Sequence, residues 1–395
     1  MATAPHHPRG IRPLTRILCV PLLLAASLAG AAPAARPPAA KDGNPFAGAR
    51  LYTNPDYARA IEDLAHKTPA QASALRKLGV QPTAVWLDAV KRVPSVGRHL
   101  EEAHRQQVAG ESPVVPVFVV YDLPGRDCAA KASSGEFSVK DETRYQHEYI
   151  DAIAAAFRAH PSQPAAVILE PDSLANLATN LGLEGCAAAE GAYRRGIAYA
   201  ISKLSLPNVS LYLDAAHGGW LGWKRNMTKI ATIFRSVLDA AGGSERIRGF
   251  AVNVSNYNPT KVVGGRRGSP SDPGPDELTY VDDLRQALAE VGIHDKGFVI
   301  DTGRNGKLGI RANGANWCNV AHAGLGERPR VAPVPGVDAY LWLKPPGESD
   351  GVADPRAPRF DSNCASPEAL PGAPQAGELF PAYLLELVRN ASPPL

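Results

Sequence analysis

Residues 165–173 read Ala-Ala-Val-Ile-Leu-Glu-Pro-Asp-Ser. Five apolar residues are followed at once by a turn that carries two carboxylates, Glu170 and Asp172. The run has the length of a strand. Its continuous apolarity suits a strand buried on both faces, as in a parallel sheet. The pattern recurs outward in both directions, with apolar runs at 83–87, 114–121, 209–213, 249–254, 297–300 and 339–343. Helical periodicity fills the gaps at 142–160, 186–204, 227–241 and 277–291, with Tyr145, Tyr149, Ile150, Ile153 and Phe157 on one face of the first. Another helix is predicted over 56–78 and a closing one over 375–390. Strands alternating with helices give an α/β parallel sheet covered by helices. Seven units suggest a TIM-like barrel, although a doubly wound sheet fits the same pattern. No linker follows residue 42, so 43–395 reads as a single domain.

Composition narrows the class. The chain has 395 residues, a net charge of +3, 45% hydrophobic and 21% charged residues. These are globular values, and so small a net charge is no footprint for nucleic acid. At the N-terminus Arg9, Arg12 and Arg16 precede an apolar run at 17–29, and Ala29-Gly30-Ala31 fits a cleavage site. Residues 1–31 therefore read as a signal peptide and 32–42, rich in Ala and Pro, as a flexible lead-in. The expectation is a secreted protein with no membrane attachment after signal removal. Cys19 would leave with the signal, so Cys128, Cys186, Cys318 and Cys364 remain. An even number in an exported chain favours disulfides. Four cysteines allow three pairings, of which the sequential one is the simplest. No paired C-x-x-C spacing marks a zinc site, and no metal or cofactor is expected.

The polar residues at the ends of the apolar runs are the informative feature. The runs end on Asp88, on Tyr121-Asp122 with Asp127 beyond, on Glu170 and Asp172, on Asp214 and His217, on Asn253, Ser255 and Asn256, on Asp301 and Arg304, and on Lys344, Glu348 and Asp350. In a parallel α/β fold these ends share one face, where ligands bind. A single strand-end Asp is ordinarily a helix cap; so many in register point to chemistry. Trp86, Trp220 and Trp223 fall beside the same ends, with Trp317 and Trp342 near the last two. Flat indoles stack on the C–H faces of sugars, while Asp, Asn, Lys and Arg take the hydroxyls. Trp342 lies inside an apolar run and reads as core. Carboxylates with aromatics in an exported chain suggest glycoside hydrolysis, which needs a carboxylic acid held protonated beside a second group that activates water or attacks the sugar.

The segments VVYDLPGRDCAAKASSGE (119–136), ILEPDSLANLATN (168–180), LYLDAAHGGWLGW (211–223), NVSNYN (253–258), VIDTGRNG (299–306), WCN (317–319) and LKPPGESDG (343–351) resemble glycoside hydrolase family 6, in family order and over nearly all of 50–395. The resemblance implies a distorted barrel of seven parallel strands and inverting, metal-free cleavage of β-1,4-glucan. It implies Asp172 as general acid, Asp127 as the carboxylate that keeps it protonated, and Asp350 as candidate base. Ser133 would hold the water chain and Tyr121 would favour a distorted sugar. Asp88, Asp214, His217, Asn256, Lys344 and Glu348 would bind sugar hydroxyls, and Trp86, Trp220, Trp223 and Trp317 would stack. The implied disulfides are Cys128–Cys186 and Cys318–Cys364.

Residues 135–151 and 351–373 resemble the longer loops that roof the cleft in the family's cellobiohydrolases. The resemblance thus favours an exo-acting monomer that releases cellobiose from the non-reducing ends of cellulose or cello-oligosaccharides. An endoglucanase is the alternative, and a secreted glucan-binding protein with a dead site the remote one. No aromatic-rich second module or long Ser/Thr/Pro linker is visible, so a separate cellulose-binding domain is not expected.

Overall fold

The structure is a computed structural model that describes residues 43–110, 112–312 and 314–395. The expected signal peptide and lead-in lie outside the described residues. Two short strands, β1 (Arg50–Leu51) and β3 (Val114–Val115), pair in parallel. The main sheet runs β2 (Val85–Leu87), β4 (Val117–Val120), β5 (Ala165–Leu169), β6 (Val209–Asp214), β7 (Gly249–Val252), β8 (Gly297–Asp301), β10 (Val337–Leu341), β9 (Arg330–Val334). The seven strands from β2 to β10 are mutually parallel. The sheet curls until the Ala84 N–H donates to the Trp342 carbonyl at 3.1 Å, across the seam between β2 and β10. This is the distorted seven-stranded barrel that the sequence predicts.

Residues alternate across its wall. Val117, Val119, Tyr121, Ala166, Ile168 and Val299 fill the interior. Phe118, Val120, Val167, Leu169, Phe250 and Ile300 pack outward under the helices. Burial on both faces is why the runs are apolar without a break. A further cluster joins Tyr57, Ile61, Leu384 and Leu387 to Trp342, which is core as expected.

Five local differences stand out, and four of them have clear causes. The run 114–121 splits at Pro116, which has no N–H for a ladder. The helix predicted over 56–78 is two, Pro55–Lys67 and Ala72–Gly79, because Pro69 turns Thr68 away from helical backbone. The closing helix shortens to Pro381–Arg389. Strand β9 is antiparallel to β10 and lies outside the seven runs; it is a half-exposed edge containing Pro333, so it carries no apolar signature. The helix Ser95–Gly110 is likewise unmarked in the sequence, because its buried stripe is only Val96, His99, Leu100 and Ala103.

Candidate active site

Every parallel strand delivers its last residues to one rim, around a cavity of about 660 Å³. The rim backbone is unusual. Asp127, Glu170, Asp172, Ala216, Asn253 and Ser255 all have positive φ, between 46° and 63°. These left-handed turns break the onward course of the chain; of the six, Asp127, Asp172 and Ser255 line the cavity.

Buried carboxylates hold these turns by accepting backbone N–H groups. Glu170 accepts from Asp122 and Leu123, both at 3.1 Å, and from the Tyr145 hydroxyl at 2.8 Å. Tyr145 reaches it from a wide helical turn, Tyr145–Ile150, within the helix predicted over 142–160. Asp301 accepts from Gly303, Ser255 and Lys344, tying three strand ends together. Asp214 accepts from Asp172 N–H at 3.0 Å and Ala216 N–H at 3.1 Å. It is buried and stands behind Asp172, away from the cavity wall, so its place is that of a positioning residue where a sugar ligand had been expected.

Asp172 and Asp127 both face the cavity. Burial, then the charges of Asp127, Asp214 and Asp350, raise the Asp172 carboxyl well above the usual range. Asp127 is raised to about 6, by burial first. Its carboxylate accepts from the Tyr121 hydroxyl at 3.1 Å and is also bonded by Ser133, which pulls the value back. Asp172 is thus the member of the pair that keeps its proton, and Asp127 the one that ionises first.

Asp350 is different. Burial alone would raise it, but Arg304 and Lys344 outweigh that and hold it below its ordinary value. Arg304 bonds it at 2.6 Å, Asn319 N–H at 2.8 Å, and Lys344 Nζ lies 3.6 Å away. A carboxylate so engaged stays ionised and is a weak base.

Aromatic and polar residues extend the cavity to either side. On one side the Trp86 indole donates to Leu343 O at 2.7 Å and sits edge-on to Tyr121. Asp88, Lys344 and Glu348 line the same part, and burial raises Glu348 to about 7. On the other, Trp220 is anchored by Thr179 at 2.8 Å beside His217. Asn256 and Trp317 complete the wall. Trp223 does not line the cavity; it stands 46% exposed just beyond Trp220.

The proton position on His217 is set by its neighbours. Arg311 can only donate, and it reaches Asn258 Oδ1 at 3.0 Å. The Asn258 amide nitrogen therefore faces Glu277 and His217 Nδ1, at 3.0 and 3.1 Å. Nδ1 accepts, so Nε2 carries the hydrogen. Burial and the Arg311 charge lower His217 to about 3, which keeps it neutral. Sequence reading missed Arg311, Asn258, Asn319 and Tyr257. Asn258 and Tyr257, whose hydroxyl reaches Asp350 Oδ2 at 3.3 Å, lie in the segment 253–258, and Asn319 lies in 317–319. Arg311 falls outside every such segment, and only the fold shows what these side chains touch.

Both disulfides, Cys128–Cys186 and Cys318–Cys364, are formed. The second pins the loop after Asp350 above the site. Ala132 from the loop after Asp127 packs on it. Gly351 admits the meeting, because a Cβ there would lie 2.6 Å from Ala132 Cβ and 2.8 Å from Cys364 Sγ. The Lys131 N–H donates to Asp361 Oδ2 at 2.8 Å, joining one loop to the other.

A parallel barrel with a protonated carboxyl beside an ionised one, flanked by indoles and by two loops bonded to each other, has the makings of an acid-base enzyme acting on sugars. The chain belongs to the glycosyl hydrolases family 6, whose profile matches residues 46–391. It is 41% identical over 367 residues to 1,4-β-D-glucan cellobiohydrolase C of Emericella nidulans, covering 90% of this chain and 80% of the relative. It is 39% identical over 358 residues to exoglucanase 3 of Agaricus bisporus, covering 89% and 80%. Cellobiohydrolase II (Cel6A) from Humicola insolens, solved in complex with glucose and cellotetraose, superposes with a TM-score of 0.84 at 37% identity, covering 89% of this chain and 100% of that one.

Proposed function

We propose that this protein is a secreted, inverting β-1,4-glucan hydrolase that releases cellobiose from the non-reducing ends of cellulose chains. The observation that carries the reading is the carboxyl pair Asp172–Asp127 inside an indole-flanked cavity that two mutually bonded loops line. The names of the relatives support the same substrate class. The two disulfides agree with export.

Asp172 protonates the leaving glycosidic oxygen, since it keeps its proton where an ordinary Asp would not. Water attacks from the opposite face of the sugar. Its proton passes by way of Ser133 to Asp127, which has the higher affinity for it. Asp350, saturated by Arg304, Lys344 and Asn319, stabilises the positive charge that develops on the sugar and yields only weak base assistance. Tyr121 and Trp86 shape the sugar at the cleavage point, and the His217 Nε2–H donates to a hydroxyl on the other side. Trp223 offers an outer platform for incoming chain.

The deciding measurement is carboxymethylcellulose viscosity against reducing ends released by the purified protein. Many ends with little viscosity loss supports exo attack. A steep drop at few ends would replace that reading by endo attack, and binding without any ends would leave a glucan-binding protein.

A further inference from the structure

The cavity does not stop at Trp86 and Glu348. The same continuous space is lined by Asn54, Asp56 and Tyr57 at the start of the helix Pro55–Lys67, and by Ser95 and Arg98 at the start of the helix Ser95–Gly110. The order of the groups can be traced by which feel which. Glu348 is influenced by Asp350 on its inner side and by Asp88 and Arg92 beyond. Tyr57 in turn feels Glu348, and its hydroxyl bonds Pro346 O at 2.9 Å. Asp56 precedes Tyr57 in the chain and is held by both Arg98 terminal nitrogens, at 3.1 and 2.6 Å. His99, buried and neutral, backs the pair, with Tyr52 at 2.9 Å on its other nitrogen.

This arm is rich in polar groups but nearly neutral. Arg98 is offset by Asp56, and Arg92 Nε lies 3.4 Å from Asp88 Oδ1. An anion would find each guanidinium already matched, and a cation each carboxylate. What remains is a set of spare N–H donors and carboxylate oxygens, with Tyr57, Ala60 and Ser95 lining the same space. That surface suits a ring of vicinal hydroxyls.

We propose that the Asp56–Arg98 arm is a further sugar-binding site, which takes a third glucosyl unit on the Trp86 side of Asp172. The site rests on the glucanase reading above and extends it. Cellobiose release fills two units on that side; an occupied third lets the chain sit one unit further along and be cut to cellotriose. The arm therefore sets how often the product is a trisaccharide.

The test uses cellohexaose and reads the first products. Cutting after two units gives cellobiose and cellotetraose, and cutting after three gives cellotriose alone. Wild type should yield cellotriose beside the other pair. Arg98→Ala should lower the cellotriose share about fivefold, the effect of about one lost hydrogen bond. Ser95→Phe, which fills the arm without touching the ion pair, should lower it as well. The cellobiose-plus-cellotetraose rate should hold in both, because neither residue is near Asp172. No cellotriose from wild type, or an unchanged share in both variants, overturns the site while the glucanase reading stands. No hydrolysis by wild type would overturn that reading, and the site with it.

Discussion

The Lys131 backbone N–H and the Asp361 carboxylate, 230 residues apart in sequence, meet at 2.8 Å. The bond ties the loop that carries Ser133 to the loop pinned by Cys318–Cys364, and it brings the Asp361 charge within reach of Asp127. Asp361 also caps its own turn by accepting from Asn363 N–H at 2.9 Å, a second bond that holds the side chain in place. Asp361→Ala should loosen the two loops at a stability cost of about 1 kcal/mol. Carboxymethylcellulose viscosity should then fall faster per reducing end than with wild type; an unchanged ratio would show that this bond does not hold the loops together.

Asp172→Ala should keep cello-oligosaccharide binding and lose about 10² to 10⁴-fold in turnover, as expected for a missing general acid. The loss should be much smaller on a β-cellobiosyl fluoride, whose leaving group needs no proton. Equal losses on both substrates would assign Asp172 to something other than protonation.

Asp127→Ala removes one of the charges that raise Asp172. Asp172 then gives up its proton at lower pH, so the alkaline limb of the pH–rate profile moves down. Where the limb stays put while the rate falls, Asp127 acts on the water side only.

Arg311→Ala frees the Asn258 amide to turn, and His217 is no longer held with its hydrogen on Nε2. KM should rise about fivefold, as for one lost hydrogen bond to substrate, with kcat less affected. Nitrogen NMR of labelled histidine should show a single Nε2–H tautomer in wild type and a mixture in the variant. A pure Nε2–H signal in both would refute the relay.

Stability should favour acid. Burial raises Glu170, Asp214 and Glu277 to about 7 each. Folded values above unfolded ones mean that their contribution is complete below about pH 4 and is lost as pH rises through about 7. Asp350 has the opposite sign, contributing above its unfolded value and losing that as pH falls through its lowered one. Asp350 titrates below about pH 4 and is silent above it, whereas His99 and His217, lowered to about 4 and about 3, cost stability as pH falls below about 6.5. With Glu348 also raised to about 7, four carboxyls outweigh the two imidazoles, so Tm should be at least about 2 °C higher at about pH 5 than at about pH 8. A Tm that rises with pH over that interval would mean these carboxyls are not buried as described.

The barrel was legible because its strands are apolar without interruption, as for Val117–Val120 and Ala165–Leu169, and that property is local. The rim was legible because side chains that follow such runs must share one face. What escaped was whatever depends on distant partners. Asp350 looks like any turn Asp until Arg304, 46 residues away, is seen to clamp it. Asp214 follows a strand just as Asp88 does, yet its carboxylate is engaged on the Asp172 N–H. Trp220 and Trp223 sit in one Gly-rich segment, but only the first turns into the cavity. Strand β9 hides because an edge that faces solvent need not be apolar.

The left-handed rim also bears on how such an enzyme could be made to last in heat. A non-glycine residue in that region costs about 1 kcal/mol or more, and six of them cluster here. Two are Asp127 and Asp172, whose side chains cannot be exchanged for glycine without losing the reaction. The working end is thus sprung by necessity. Durability has to be sought at the opposite end of the barrel, where Arg248 and Tyr212 already clasp Asp338 at 2.7 and 2.8 Å and no chemistry competes for the residues.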